Sequence, residues 1–552
     1  MQKKKDLPED ANRRKFLKTG VVGGIAAASF PAITFAQRSD TTEMRPFNIK
    51  PFELDEISVA QISSGFNSGK YTVRSITEKY IQRIHEIDKN GPGLNAVIEL
   101  NPDALSIADT LDKELQEKGP RSPMHGIPVL IKDNIDTADK MQTTAGSLAL
   151  AGSAPRKDSF LVQQLRKAGA LILGKANLSE WANIRSTHST SGWSGRGGLT
   201  KNPYALDRNT SGSSSGSAAA LSANLCAVAI GTETDGSVVS PSSINGVVGI
   251  KPTVGLVSRT GIIPISHSQD TAGPMGRTVR DAATLLGAMT GIDPGDGATK
   301  DSKGKYYSDY TQFLTSDGLE GARIGVVRGY FGFLPQVDAL MEDALDVLKK
   351  NGAILVDPVK IDTLNEFGDT ELTVLLYELK ADMKAYLNRR GAQSPMHSLK
   401  DLIEFNKAHE KEEMPYFKQE LFLQAEEKGP LTDKTYLDAL ETNHRMTRTE
   451  GIDAVIDAHN LDALIAPTDS PAWVTDLVDG DHFLGGSSSL AAVAGYPSVT
   501  VPAGFIWGLP VGISFFGRAW SEPVLLKMAY GFEQNTQVRK PPQFLPTADL
   551  SV

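Results

Sequence analysis

The stretch NPDALSIADTLDKELQEKGPRSPMHGIPVLIKDN, residues 101–134, decides the fold class. Asn101 and Pro102 open it, and Ala104, Leu105, Ala108, Leu111 and Leu115 recur at helical spacing until Gly119 and Pro120 break the pattern. Ile127 to Ile131 is then a short unbroken apolar run, which reads as a buried strand. The pair repeats at once. Ser159 to Lys167 is helical, Gly169 ends it, and Ala170 to Leu173 is a second buried strand. Further along, Ser217 to Leu225 reads as a small-residue helix, and Ala227 to Ile230 and Val247 to Ile250 read as strands. Such alternation predicts an α/β layered fold around a substantially parallel sheet.

Between these elements, Ser179 to Gly216 is a long Ser, Thr, Gly and Asn-rich stretch without apolar period, and loops of that length in compact proteins are usually functional or disordered. Its Trp181, Trp193 and Tyr204 favour order. Residues from about 300 to 450 change character, with charge-rich helical text such as His409 to Lys418 and more polar helical text from Leu437 to Thr447, and they predict a helical cap. Strand-like text returns at Leu461 to Ala466 and Pro497 to Pro502, so the cap is expected as an insert in one domain spanning 37–552. No repeat of 20 to 50 residues is visible, which removes solenoids and propellers.

Of the 552 residues, 40% are hydrophobic and 22% charged, an ordinary globular composition. The single cysteine, Cys226, excludes a disulfide framework. A net charge of -9 has the wrong sign for tracking phosphate backbones, so nucleic acid is not an expected partner. Asn12 to Lys18 reads NRRKFLK and precedes a weakly apolar run from Gly20 to Phe35, the order of a twin-arginine export signal. That run is interrupted by Pro31 and too short for a span of about 20 residues, so no stable membrane insertion is expected once residues 1–36 are removed. Removal would take away seven basic and three acidic residues and leave -13. The expected location is periplasmic or secreted, with only transient engagement of the export machinery.

Three familiar patterns fail on context. Gly169 to Lys175 fits GxxxxGK, but Ala176 replaces the magnesium-binding hydroxyl and the intervening residues are a strand rather than a phosphate loop. Gly212 to Gly216 fits GxSxG, but the text before it is polar loop and not the strand a nucleophile elbow must end. Ser302 and Lys305 have SxxK spacing in a solvated charged loop. Nine histidines are scattered without HExxH or a paired cysteine, so neither a metal nor a cofactor is expected.

What remains is a constellation: Gly126 to Asn134, with Lys132 at the end of an apolar strand; Ser211 to Ala220, a run of small residues and hydroxyls; and Gly231 to Pro241, followed by Asn245 to Thr253. With Thr143 to Ser147, Ala176 to Trp181, and more weakly Gly495 to Pro502 and Gly508 to Gly512, these blocks resemble the amidase signature family over most of residues 50 to 520. The resemblance implies a large, mostly parallel mixed sheet covered by helices, and a Ser-Ser-Lys triad of Ser237 as nucleophile, Ser213 as bridge and Lys132 as base. It also implies an oxyanion hole from the backbone N–H groups of Thr234, Asp235, Gly236 and Ser237. The chemistry suits the residue types, because a serine needs its proton removed in the transition state and a buried lysine can be neutral enough to take it.

Asp235 departs from the second glycine common at its position, and Val239 from an arginine; a carboxylate there would oppose an oxyanion unless turned away or paired. The ETDGS text, the block GLVSRTGIIPISHSQDTAGPM and the PYFKQELF segment resemble the peptide amidase subgroup. The implied activity is hydrolysis of C-terminal peptide amides or related small amides. Trp181, Trp193, Tyr204 and Tyr416 are the candidate walls for the acyl part. Two alternatives are an ammonia-generating amidotransferase subunit, disfavoured by an export signal and an acidic mature chain, and an inactive exported binding protein, suggested by Asp235.

Overall fold

A computed structural model describes residue 47, residues 49–391 and residues 394–551, so the export signal expected at 1–36 lies outside the described residues. The described residues form one compact unit. The opening stretch folds as its pattern dictates. Ala104–Lys118 is a helix burying Ala104, Ala108 and Leu111, and Pro128–Lys132 is a strand buried at every position. In the repeat of that pair, the Ser159 hydroxyl accepts the Val162 N–H at 3.3 Å to start the helix Phe160–Ala168, and Gly169 at φ 85° ends it in a left-handed turn.

Eleven strands make one sheet. In chain order they are β1 (Val97–Leu100), β2 (Pro128–Lys132), β3 (Leu171–Ala176), β4 (Val228–Glu233), β5 (Val248–Lys251), β6 (Thr271–Gly276), β7 (Arg323–Val326), β8 (Ile354–Val356), β9 (Ala463–Pro467), β10 (Ser498–Ile506) and β11 (Leu509–Phe516). Across the sheet the order is β1-β3-β2-β4-β6-β5-β10-β11-β9-β7-β8. The sheet is large, mixed and flanked by helices, as expected, but it is less parallel than the alternation suggested. Four junctions are parallel, β3/β2, β2/β4, β9/β7 and β7/β8. The other six are antiparallel. The physical reason lies in the connections: β10 and β11 are joined by a tight hairpin turn at Trp507 and Gly508, and β5 reaches β6 through irregular chain instead of a crossover helix.

The insert also needs correction. Residues 323–356 are not cap: β7 and β8 extend the sheet, with the helix Pro335–Lys350 between them. The helices α1 (Ser215–Ser222) and α2 (Val239–Ile244) pack on strands of the sheet, and helix dominates only from α3 (Gly368–Arg390) onward. The helix expected from His409 to Lys418 shrinks to Glu410–Glu413, because Pro415 cannot donate the next backbone hydrogen bond. Nor is the insert a separate body. Leu376, Leu379, Leu402 and Phe422 share an apolar cluster with Leu150 and Trp181. Polar ties join the same surfaces: Tyr386 donates to Asp136 at 2.7 Å, Arg390 to the Thr143 carbonyl at 3.0 Å, and the Leu148 N–H to Glu413 at 2.6 Å.

Candidate active site

β2 and β4 run parallel in the register Val129↔Val228, Leu130↔Ala229 and Ile131↔Ile230, so their carboxyl ends finish side by side. Lys132, the last residue of β2, is fully buried, and its Nζ donates to Ser213 Oγ at 2.7 Å, to Thr232 Oγ1 at 2.9 Å and to the Thr232 carbonyl at 3.1 Å. Asn134 donates to the same Thr232 hydroxyl at 2.9 Å. Desolvation of this enclosed ammonium pushes the Lys132 pKa down to about 7, against the opposing charges of Glu233 and Asp270.

The serine run before α1 is stitched in place one hydroxyl at a time. Ser214 donates to the Thr232 carbonyl at 3.1 Å and accepts its N–H at 3.2 Å; Ser215 donates to the Ser211 carbonyl at 2.6 Å; Ser217 donates to the Ile230 carbonyl at 3.0 Å. Every residue of α1 is buried, and the small side chains let the helix pack close. At Gly216 a Cβ would lie 2.3 Å from the Ala96 carbonyl oxygen. The Gly212–Ser213 peptide bond is cis. The Ser214 N–H donates to the Ser237 carbonyl at 3.2 Å, which brings the Ser213 segment against the β4–α2 turn that carries Ser237.

That turn is held from within. The Glu233 carboxylate accepts the N–H groups of Val238 at 2.7 Å and Val239 at 3.0 Å, and Gly236 takes φ 77° where other residues would be strained. Asp235 is turned onto Ser488 and Ser489, whose hydroxyls donate to its two carboxylate oxygens at 2.5 and 2.6 Å. Burial raises its pKa. Glu371, from the first turn of α3, is pushed up to about 8 by burial and by the Asp235 charge. Gln269 joins the two sides, donating to Glu371 at 2.9 Å and to the Thr234 carbonyl at 3.3 Å. Thr234 donates to Asp270 at 2.6 Å. The concern raised by Asp235 is therefore met by two direct hydroxyl donors.

Beside this cluster a cavity of about 220 Å³ is lined by Thr232, Thr234, Ala182, Ile263 and Ile265, and by Asp382 and Arg389 of α3. None of the four candidate aromatics lines it. Trp181 is core, edge-on to Phe422 with centroids 5.8 Å apart. Trp193 packs on Tyr416 and Phe417 at 5.5 and 5.2 Å, and Tyr416 is exposed. Tyr204 must be taken out of the wall: its hydroxyl donates to the Lys540 carbonyl at 2.6 Å and its ring meets Phe505 beside a different cavity, which none of the three serine and lysine segments lines. The lining residues missed by the aromatic reading, Ile263 and Ile265, stand inside the GLVSRTGIIPISHSQDTAGPM block, so that text was the available signal.

The rejected patterns resolve structurally. Gly169 caps a helix, and Lys175 is a buried strand residue donating to the Ile135 carbonyl at 2.6 Å and Thr143 Oγ1 at 2.8 Å. Ser302 donates to the Thr299 carbonyl at 2.7 Å, while the Lys305 ammonium lies 4.6 Å from the Trp520 ring centroid. Among the described residues, His267, Glu378 and Asp382 cluster closely enough for a metal. Both imidazole nitrogens already face carboxylates, at 3.2 and 2.9 Å, and Tyr436 also donates to Glu378 at 2.7 Å. These contacts join α3 to the 266–268 loop.

A buried strand-end lysine thus donates to Ser213, and the next residue of that serine run is hydrogen-bonded to the turn that carries Ser237; the Amidase family model matches residues 75–526. The chain belongs to this family and is an amidase. It is 43% identical over 504 residues to a probable amidase of Arabidopsis thaliana, covering 90% of this chain and 93% of that one. The native peptide amidase from Stenotrophomonas maltophilia is similar at 51% identity with a TM-score of 0.86, over 90% of this chain and 100% of that one. A structure of the peptide amidase PAM in complex with the competitive inhibitor chymostatin is similar at 52% identity with a TM-score of 0.87, over 89% and 100% of the two chains.

Proposed function

We propose that this amidase hydrolyses C-terminal carboxamides of short peptides, and related small amides, through an acyl-enzyme on Ser237. The observation that carries the reading is Lys132: fully buried, 2.7 Å from Ser213 Oγ, with a pKa drawn down to about 7 by desolvation. As Ser237 Oγ attacks the amide carbon, its proton passes to Ser213 while Ser213 gives its own to neutral Lys132. The N–H groups of residues 234–237 face the developing oxyanion, an interaction typically worth about 3 to 4 kcal/mol per donor removed. Collapse of the tetrahedral intermediate breaks the C–N bond, the Lys132 proton returns through Ser213 to the leaving nitrogen, and ammonia departs. Water then repeats the sequence and releases the acid.

Identity of 51–52% over about nine-tenths of the chain to peptide amidase supports a peptide-amide substrate over the amidotransferase reading. The pairing of Asp235 with Ser488 and Ser489 supports activity over an inactive binding protein. Export completes the reading, supported by the NRRKFLK order at residues 12–18 and tested by fractionating cells that express the full chain. The function itself is tested by mass spectrometry of an amidated pentapeptide after incubation. A one-dalton gain at the C-terminus without fragments supports it; internal cleavage, or turnover confined to small free amides, overturns the substrate assignment. Fluorophosphonate labelling at Ser237 separates an enzyme from a binding module, which has no activated serine to modify.

A further inference from the structure

The loop from residue 474 to 486 presents Val474, Val478, Phe483 and Leu484 at 49, 85, 54 and 57% exposure, an unusual density of large apolar side chains in water. The loop is firmly held. Asp481 accepts the Ser191 N–H at 3.0 Å, the Ser191 hydroxyl at 2.5 Å, the Trp473 indole N–H at 3.2 Å and the Asn209 amide at 3.3 Å. Asp476 accepts the N–H groups of Val478 and Asp479 at 2.8 and 3.0 Å, and the Thr190 hydroxyl donates to its carbonyl at 2.7 Å. Phe483 stands edge-on to Trp473, centroids 6.1 Å apart. An anchored loop that displays apolar groups keeps them exposed at a cost, because burying each would be favourable.

Its two ties lead to the two serine segments. Ser191, gripped by Asp481, lies against Gly212, where a Cβ would come 3.2 Å from Ser191 Oγ, and Ser213 follows directly. At the other end, Ser488 is four residues beyond Leu484 and donates to Asp235, two residues before Ser237. The loop that carries this apolar face is therefore tied at Asp481 to the segment before Ser213 and runs on to Ser488 at Asp235.

Resting on the peptide-amide reading, we propose that Phe483 and Leu484 form an outer subsite for the apolar side chain of the residue preceding the amidated one. A carboxamide carries no apolar surface for such a face, whereas the chain before it does. A second copy of this chain is the weaker occupant, because a stable interface buries about 800 Å² on each partner, and four side chains on one loop offer far less.

The test compares wild type with the double variant Phe483→Ser/Leu484→Ser on two amidated tripeptides, with Leu or Ser before the final residue, and on N-acetyl-leucinamide. Wild type is expected to favour the Leu tripeptide by about tenfold in kcat/KM, the scale of one apolar side chain in a subsite. The double serine variant is expected to reduce that ratio towards one, and Phe483→Leu/Leu484→Ile to retain it. An unaltered ratio in the serine variant, equal losses on all three amides, or a wild type indifferent to the side chain overturns the subsite. A wild-type dimer that the serine variant converts to monomer in sedimentation does so too, by giving the face to a second copy. If wild type cleaves N-acetyl-leucinamide but neither tripeptide, the peptide-amide reading itself has failed; if it cleaves both tripeptides without regard to these residues, only the subsite has.

Discussion

Ser237 retains 8% of its surface, while Ser213, Ser214 and Ser215 retain none. That difference separates a serine that can meet substrate from serines that cannot, and of the enclosed ones Ser213 faces Lys132 while Ser214, the centre of the GxSxG match, spends its hydroxyl on Thr232. On the proposed role of Ser237 as nucleophile, Ser237→Ala is expected to lose on the order of 10⁴-fold or more in kcat with an unchanged melting temperature. If Ser214→Ala were the inactive variant and Ser237→Ala active, the assignment would be reversed. Lys132 gives the second residue-scale expectation. With a folded pKa of about 7, Lys132 is mostly neutral only above that pH, so on its proposed role as base kcat/KM is expected to rise as pH climbs through about 7 and to be low in mild acid. Lys132→Ala removes the step with most of the activity, and Lys132→Arg does not restore it, because guanidinium stays protonated. A profile that persisted unchanged in Lys132→Ala would assign the step to another group.

At the scale of elements, the turn between β4 and α2 depends on one carboxylate. Glu233 accepts two successive N–H groups immediately after Ser237, so it fixes where that hydroxyl stands. Glu233→Ala is expected to lower kcat by about 10²-fold, the scale at which misplacing a reacting group by about 1 Å is felt, whereas Glu233→Gln keeps an acceptor oxygen and much of the rate. Equal kcat in both variants would remove this role. Glu233 was legible in the sequence only as part of a block, because a strand-end glutamate carries no sign of which backbone groups it will accept. Strand and helix positions were more readable. Ile127 to Ile131 falls within one residue of β2 at each end, and Ala227 to Ile230 marks the start of β4 but stops three residues short of Glu233, because an apolar run shows where a strand is buried and not where its polar end continues. Direction was not readable, because an apolar run is the same sequence whether its neighbour is parallel or antiparallel, and only the connection distinguishes them. The aromatics misled for a related reason: Tyr204 is as well suited to a core as to a wall, and long-range partners such as Phe505 and Lys540 decide which.

For the whole molecule, the same burial that frees a base near pH 7 leaves carboxyl groups reluctant to ionise. Burial pushes Asp136 and Asp270 up to about 6, Glu533 to about 7, and Asp469 and Glu371 to about 8. Each of these acids holds its proton in the folded state over a range where the unfolded chain has already lost it, so stability present in mild acid is lost as pH rises through these values. His267, raised by its hydrogen bond to Asp382 against the effect of burial, has the same sign. His444, pushed down to about 4 by burial, opposes them as a single group. Lys132 and Lys251, lowered by burial to about 7 and 8, are protonated in both states well below those values, so their share appears only at higher pH. Between pH 5 and pH 7 the acids therefore dominate, and the melting temperature is expected to fall by several degrees while kcat/KM rises. Calorimetry across that window, paired with rates on one amide, measures both slopes. A melting temperature that rose from pH 5 to pH 7 would mean that water or local opening relieves these carboxyl groups in the folded protein. A stability maximum on the acid side of the activity range is the whole-molecule counterpart of the proposed lysine base: the burial that lowers the Lys132 pKa raises that of neighbouring Asp270 and, elsewhere in the fold, those of the other four acids.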